Sequence, residues 1–456
     1  MNINLVNGQD ELARKIAMTL LLEGLRAVDS RRLVLEKVKL VECSLMVDNS
    51  YAVNVKEGFY VIALGKAASR MAEAIEELAG NLVKSGVATL PRGAPKTKLT
   101  RIEQIEAGHP SPDEGSIKAG MLALELARKA KEERRPLLIL ISGGGSALME
   151  LPVPGLSLED LSTVTNLLLK SGATIAEVNT VRKHLSLLKG GQLAAAANPS
   201  PVLSLIISDV VGDRLDVIAS GPTVPDSTTF IDARMVLERY EILDKVPPRI
   251  RELIENGISG KLRETPKPGD PCFEQVYNVL IGSNLIALRA MDIYAKRMGL
   301  NSLILTSMLQ GEAKEAAKFL TAVALEVKRS STPIPSPAVI LCGGETTVIV
   351  KGEGKGGRNQ EFALSAAVQI AGERGVAIAA MGSDGIDGPT EVAGAVVDGR
   401  TAERAAKLGL RPTNFLDNNN SYEFFKSVGG HIITGPTGTN VNDFYLAVII
   451  SEEYSW

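Results

Sequence analysis

The residues best suited to chemistry gather at a few glycine-rich turns. The stretch Cys342–Glu361, CGGETTVIVKGEGKGGRNQE, is the most informative of them. An apolar run, Ala338–Leu341, ends in Gly343, Gly344 and Glu345, and a glycine-rich loop then leads to Arg358 at the start of a helix-like pattern. Glycine lets a backbone approach a ligand closely, unpaired N–H groups at a helix start favour anions, and an arginine there offers a planar fork for phosphate or carboxylate. The segment predicts anion handling, above all of phosphate. A second turn, Ser142, Gly143, Gly144, Gly145 and Ser146, follows the apolar run Leu137–Ile141 and makes a poor helix cap but a good backbone cradle for an anion. Lys66 stands at a strand-to-helix turn, where the helix dipole disfavours a cation, so its placement points to function.

Each feature has a plainer reading. Glycines after strands are common turn residues, and Ser or Asp there are ordinary helix caps. Arg182, Lys183, His184 and Lys189 precede Gly190 and Gly191 and read as standard helix termination, with Arg182 a minor candidate for a substrate carboxylate. His109, in Gly108-His109-Pro110, reads as a turn residue; His431, after Gly429 and Gly430, is undecided. Neither a Walker A pattern nor a Gly-x-Ser-x-Gly hydrolase elbow occurs. Gly352–Gly357 does fit Gly-x-Gly-x-x-Gly, the spacing of a dinucleotide fingerprint. With 43 glycines in the chain a chance match is cheap, and Glu353, Lys355 and Arg358 are unlike a tight pyrophosphate turn.

These turns need elements to position them. Short apolar runs alternate with helical patterns, which predicts an α/β fold with parallel sheets covered by helices. The predicted strands are 60–64, 137–141, 202–207, 279–281, 303–305, 339–341, 376–380 and 445–450. Six of their ends carry glycine with a hydroxyl, acid, amide or lysine: Gly65-Lys66, Ser142–Ser146, Ser208-Asp209 with Gly212-Asp213, Gly282-Ser283-Asn284, Gly343-Gly344-Glu345 and Gly382-Ser383-Asp384. Ligands of open α/β sheets bind outside the carboxyl ends of strands, so six such ends over two domains predict a cleft between them. At 456 residues two domains are the natural expectation. The proline-rich stretch from Lys245 to Cys272 marks a linker or an ordered connection and places the boundary near 272, giving domains 1–272 and 273–456.

Composition narrows the function classes. A net charge of −3 and a locally balanced opening segment argue against nucleic-acid and anionic-membrane partners. No run of about eighteen apolar residues predicts a membrane span, and the apolar residues of 12–28 recur at helical spacing rather than as a signal-peptide block. Three widely separated cysteines and three histidines show no metal-ligand spacing, which suits a reduced, cytoplasmic setting.

Taken together, the motifs resemble the class II glycerate kinases. Leu64–Ala68 (LGKAA), Gly108–Pro110 (GHP), Ile141–Met149 (ISGGGSALM), Val181–Gly191 (VRKHLSLLKGG), Ser208–Asp213 (SDVVGD) and Ala219–Pro225 (ASGPTVP) occur in the family's order. Gly343–Thr346 (GGET), Gly354–Glu361 (GKGGRNQE) and Gly382–Gly388 (GSDGIDG) follow, in the part called the multi-organism fragment with rich leucine, or MOFRL. The resemblance spans about residues 10 to 450. It implies two α/β domains, each a largely parallel Rossmann-like sheet, an interdomain cleft, and transfer of the γ-phosphoryl group of ATP to the 2-hydroxyl of D-glycerate. It assigns catalysis to Lys66, Asp209 and Arg358. The Ser142–Ser146 backbone, with Arg182, would hold the substrate. Gly282, Ser283, Asn284, Glu345, Thr346 and Asp384 would bear on nucleotide or phosphate-bound Mg²⁺. A homodimer is compatible with this reading. Three alternatives stand beside it: phosphorylation at the 3-hydroxyl, a nicotinamide-dependent hydroxypyruvate reductase, and a non-catalytic binder.

Overall fold

The computed structural model describes residues 9–450 and Tyr454. It divides into two compact units: Ser30–Ile281, the N-terminal unit, and the C-terminal unit, which joins the segment ending at Asp29 to the chain from Gly282 onward. The boundary thus lies between 281 and 282 rather than at 272. The strand Val276–Gly282 belongs to the sheet of the N-terminal unit, which carries that unit past the proline-rich stretch. The opening residues also depart from the 1–272 expectation. Helix Gln9–Ala27 buries Ile16, Ala17, Leu20 and Leu21 within the C-terminal unit, Gly24 lies against Met291, and Asp10 accepts from the Gly375 N–H at 2.9 Å.

In the N-terminal unit, β1 (Val38–Val41), β2 (Ser44–Val47) and β3 (Tyr51–Asn54) form a small antiparallel sheet. The main sheet comprises β4 (Phe59–Leu64), β5 (Val83–Pro91), β6 (Ile102–Ala107), β7 (Leu137–Ile141), β8 (Val202–Ile207) and β9 (Val276–Gly282), in the order β6-β5-β4-β7-β8-β9. The pairings from β6 through β8 are all parallel. The chain winds outward from β4 in one direction and then from β7 in the other, which is the doubly wound order with a switch point between β4 and β7. Every residue of β4, β7 and β8 is buried, as a parallel sheet covered on both faces requires. β5 and β6 escape the sequence reading because β5 carries Lys84, Ser85 and Gly86, and β6 alternates buried and exposed residues at the sheet edge.

The C-terminal sheet comprises β10 (Asn301–Leu309), β11 (Ala338–Gly344), β12 (Val376–Gly382), β13 (Gly394–Asp398), β14 (His431–Ile432) and β15 (Asp443–Ile449), in the order β10-β11-β15-β12-β13-β14. The α/β class holds here too, but the largely parallel character is limited. β10, β11, β12 and β14 share a direction, yet only β10 and β11 pair in parallel, because β15 enters antiparallel between β11 and β12. That insertion sets Asp443 beside both Gly344 and Gly382.

The stretch from Lys245 to Cys272 is the ordered connection of the two possibilities. Pro248 starts a helix, Pro248–Ile258, at a position where proline's missing N–H costs nothing. Its Ile250, Leu253 and Ile254 pack with Leu161, Val164, Phe230 and Leu237 in a satellite core.

The same satellite holds helix Ile175–His184, which carries Arg182, Lys183 and His184. Its start is a capping box: Glu177 N–H bonds the Thr174 hydroxyl, while Glu177 Oε2 accepts from the Thr174 N–H at 2.9 Å and its hydroxyl at 2.8 Å. Tyr240 and Arg239 also donate to this carboxylate. These bonds, the Thr174 N–H foremost, hold the Glu177 carboxyl down to about 2. A carboxyl depressed below its unfolded value, about 4.3, contributes stability above that value and loses it as pH falls toward the folded value. Glu177→Gln should therefore be less stable than wild type at neutral pH, with the difference shrinking between about pH 5 and pH 2. Urea unfolding across that range checks this; a pH-independent difference would contradict it.

Candidate functional site

In the N-terminal unit the candidates meet at the switch point. The ends of β4 and β7 interlock through backbone: Ser142 N–H donates to Leu64 O at 3.0 Å and Lys66 N–H to Gly143 O at 2.8 Å. Ser142 Oγ accepts from the Ala67 N–H at 3.0 Å, so this buried side chain serves the turn rather than facing a ligand. Gly65, at φ +113°, lies so close that a Cβ would stand 2.3 Å from Ser142 O. From β8, Asp209 reaches the same loop: a Cβ on Gly143 would lie 2.0 Å from Asp209 Oδ2. A Cβ on Gly144, at φ +79°, would lie 2.9 Å from the His109 ring and 3.4 Å from Lys66 Cγ. Lys66, Asp209 and the glycine loop therefore lie together.

His109 is the member that sequence reasoning missed. The turn reading of Gly108-His109-Pro110 is local and gives no view of the loop after β6 reaching the switch point. Burial, then the neighbouring Lys66 charge, lowers the His109 pKa, so its ring is neutral at pH 7. It supplies a hydrogen-bonding group and no charge.

Beneath the loop lies a buried ionic cluster that the sequence did not reveal. Glu150 is 1% exposed and accepts from Lys189 Nζ at 2.5 Å and Ser186 Oγ at 2.6 Å. Arg182 Nη2 donates to Ser146 O at 2.9 Å and approaches Glu150 Oε2 at 3.4 Å. Burial works to raise the Glu150 pKa, but Lys189 and Arg182 outweigh it and hold the carboxylate charged. Burial brings Lys189 down to about 8. Lys183 pairs with Asp226 at 3.4 Å, and His184 Nδ1 lies 2.7 Å from Thr180 O. The basic run is thus no solvated helix end; each member is directed inward to a named partner. Arg182 fixes the cradle through Ser146 O. Ser146 itself shares a 2.6 Å hydroxyl contact with Ser220.

In the C-terminal unit the centre is Asp443. Arg358 binds it with two donors, Nε to Oδ2 at 2.6 Å and Nη2 to Oδ1 at 3.1 Å, and sends Nη1 to Glu345 at 2.8 Å. Asn359 and the Tyr445 hydroxyl also donate to Asp443. Burial raises the Asp443 carboxyl to about 6 against the pull of Arg358, and the two carboxylates keep Arg358 charged. Arg358 has five N–H groups, of which three are taken by these bonds.

Several expectations for this unit change. The helix start at Arg358 is no open anion site, because Asp387 fills it: its Oδ1 accepts from the Asn359 N–H at 3.0 Å and its Oδ2 from the Gln360 N–H at 2.9 Å. The glycine loop before it, already read as unlike a pyrophosphate turn, gives its N–H groups to the chain itself instead of leaving them for phosphate. Asn419 Oδ1 takes the N–H groups of Lys351 and Gly352, Asn418 takes those of Glu353 and Gly354, and Asn420 takes that of Lys355. The glycines allow close packing against the chain's own turn, since a Cβ on Gly352 or Gly354 would lie 2.4 Å from Asn418 atoms. The triplet Asn418–Asn420 was the available signal.

The nucleotide candidates divide in the same way. Asn284 is buried and gives its amide N–H groups to Val441 O and Asp443 O, both at 2.9 Å. Ser283, following Gly282, caps its helix by accepting from Ile286 N–H. Thr346 is buried against the Tyr445 hydroxyl at 2.9 Å. Glu345 is exposed, and Asp384 Oδ1 accepts from Ile386 N–H at 3.1 Å. Among the described residues, no three His, Cys, Asp or Glu side chains gather to hold a metal.

The two closest glycine contacts at the switch point should behave differently. Gly65→Ala places a Cβ against backbone at a positive φ and should cost about 2–4 kcal/mol. Gly143→Ala meets the Asp209 side chain rather than backbone, at an unstrained φ, and should cost less than Gly65→Ala. Urea unfolding of both variants checks this; equal losses would contradict it.

Comparison with known proteins agrees with this architecture. Residues 16–255 match the family described as a domain of unknown function, DUF4147, and residues 338–443 match the MOFRL family. The chain is 48% identical to a glycerate 2-kinase of Pyrococcus horikoshii, covering 96% of this chain and 98% of that protein. It is 42% identical to a putative hydroxypyruvate reductase of Agrobacterium vitis, covering 85% and 86%. A crystal structure of glycerate kinase from Thermotoga maritima is similar with a TM-score of 0.87 at 43% identity, covering 96% of this chain and all of that one. The chain belongs to the class II glycerate kinase family, with its MOFRL domain over residues 338–443.

Proposed function

We propose that the protein transfers the γ-phosphoryl group of ATP to D-glycerate, at the 2-hydroxyl, giving 2-phosphoglycerate and ADP. The observation that carries this reading is the convergence of Lys66, Asp209 and the Gly143–Gly144 turn at the switch point of the N-terminal sheet, in a chain so similar to a glycerate 2-kinase. Phosphoryl transfer asks little covalent chemistry of a protein and much positioning and charge neutralisation.

In this reading the Gly143–Ser146 backbone holds the glycerate carboxylate, and Arg182 keeps that backbone in place through Ser146 O. Asp209 orients the attacking hydroxyl or accepts its proton. Lys66 neutralises charge on the transferring oxygens, and neutral His109 hydrogen-bonds the substrate beside it. Arg358, aimed by Asp443, directs its remaining N–H groups to phosphate. Glu345 and Asp384 are the carboxylates proposed to face the nucleotide. Mg²⁺ bound with ATP takes most of its ligands from phosphate and water, so one such carboxylate suffices. When bound, it would neutralise phosphate charge. Gly282, Ser283, Asn284 and Thr346 would then shape the nucleotide edge through backbone.

The reductase reading needs a pyrophosphate cradle at Gly352–Gly357, and the N–H groups of its first four residues, Gly352–Lys355, are spent on Asn418–Asn420. Cys43, Cys272 and Cys342 are free thiols, which favours a cytoplasmic location. No helix among the described residues is long and apolar enough to cross a membrane.

Incubation with ATP, Mg²⁺ and D-glycerate, with coupled ADP detection and NMR of the product, tests the proposal. It predicts glycerate-dependent ADP and 2-phosphoglycerate. No ADP above an enzyme-only control would reject a kinase, and 3-phosphoglycerate would reject the regiochemistry. Lys66→Ala should lower kcat by about 100-fold or more with little change in melting temperature. Gly143→Ala should also lose activity, because it displaces Asp209. Parallel losses of fold and activity in Lys66→Ala would mark a structural lysine instead.

A further inference from the structure

The C-terminal unit contains a cavity of about 530 Å³ lined by Asp10, Arg14, Asp398, Arg400, Arg404 and Lys426, among others. It lies at the far end of the sheet from Asp443. Asp398 pairs with Ala377 near the start of β12, whereas Asp443 pairs with Gly382 at its end. Five residues of strand separate the two, about 17 Å at ~3.4 Å per residue.

The cavity is built from charge. Asp398 is shared by Arg14, at 2.8 Å, and Arg404, at 3.2 Å. Asp10 is shared by Arg400, at 2.9 Å, and Arg374, at 3.6 Å. Among the lining residues, Arg14, Arg400, Arg404 and Lys426 face Asp10, Glu11 and Asp398, a surplus of one positive charge. Lys426 stands exposed at the rim, where Glu423 lies 3.6 Å from its Nζ.

The decisive group is Arg14. Its side chain is 7% exposed and donates through Nη1 to Asp398, but its Nε has no hydrogen-bond partner among the described residues. A buried donor on a charged group is costly to leave unmade. An anion entering here would meet a surplus of cations and the unmet Arg14 Nε. Phe425 is fully buried and Tyr422 stacks on His431, so the wall offers no free aromatic face for a nucleobase. The carbonyl end of helix Ser421–Val428 opposes an anion on its side, which leaves the arginine wall as the seat.

We propose that this cavity binds a small, phosphate-bearing dianion at a site separate from the catalytic candidates. Forked guanidinium groups suit such a ligand, and the volume suits a small metabolite rather than a macromolecule. The site does not depend on the kinase reading.

Inorganic pyrophosphate is the probe, titrated calorimetrically into the Lys66→Ala protein so that anion contacts at the N-terminal edge are weakened. The same titration is made with Lys426→Glu or Arg400→Gln added. Lys426→Glu alters an exposed residue and spares the core, so it keeps the test sound even where Arg400→Gln disturbs folding. Binding in Lys66→Ala that weakens at least about tenfold in Lys66→Ala/Lys426→Glu is the expected result. Absence of binding in Lys66→Ala, or equal affinity with and without Lys426→Glu, would overturn the site.

Discussion

The N-terminal site depends on how closely two strand ends can approach. β4 and β7 are neighbours whose chains depart in opposite directions, and their turns touch backbone to backbone. Only the absence of a Cβ at Gly65 permits that approach, and its absence at Gly143 leaves room for the Asp209 carboxylate. From this one constraint follow the rest. Lys66 is presented beside the loop, Asp209 arrives from β8, and His109 arrives from the end of β6. The buried Glu150–Lys189 pair braces the loop from below through Arg182. Such a pair is poor evidence for stability, since desolvation offsets its attraction; its clearer effect is to fix Arg182 against Ser146.

The C-terminal unit solves a similar problem with internal anions. Two buried carboxylates, Asp443 and Asp387, satisfy the donors that a free helix start and a free arginine would offer to solvent. Asp443 reaches its place because β15 runs antiparallel between β11 and β12. The result is an arginine whose direction is fixed in advance and whose unspent N–H groups remain available, as preorganised electrostatic stabilisation requires.

Much of this was legible in the sequence. The eight predicted strands all fall on observed ones, because continuous apolar runs such as Tyr60–Leu64 and Leu137–Ile141 signal burial on both faces. Edge strands such as β6 were not legible, since alternation with polar residues resembles other patterns. At the site, the residues seen in advance were those on glycine turns. Those missed depend on long-range contacts: His109 beside Gly144, Glu150 with Lys189, and Asn418–Asn420 on the Gly352–Gly357 backbone. The glycine pattern announced a close backbone approach without saying to what. At Gly143–Gly145 we assign that approach to a ligand and its catalytic neighbours, and at Gly352 and Gly354 it is to the chain's own asparagines.

That distinction can be measured directly by hydrogen–deuterium exchange with and without D-glycerate. Protection confined to the turns at 64–68 and 141–149, with exchange at 352–357 unchanged, is the predicted result. Protection at 352–357 without change at 141–149 would contradict the assignment of the substrate site to the switch point of the N-terminal sheet.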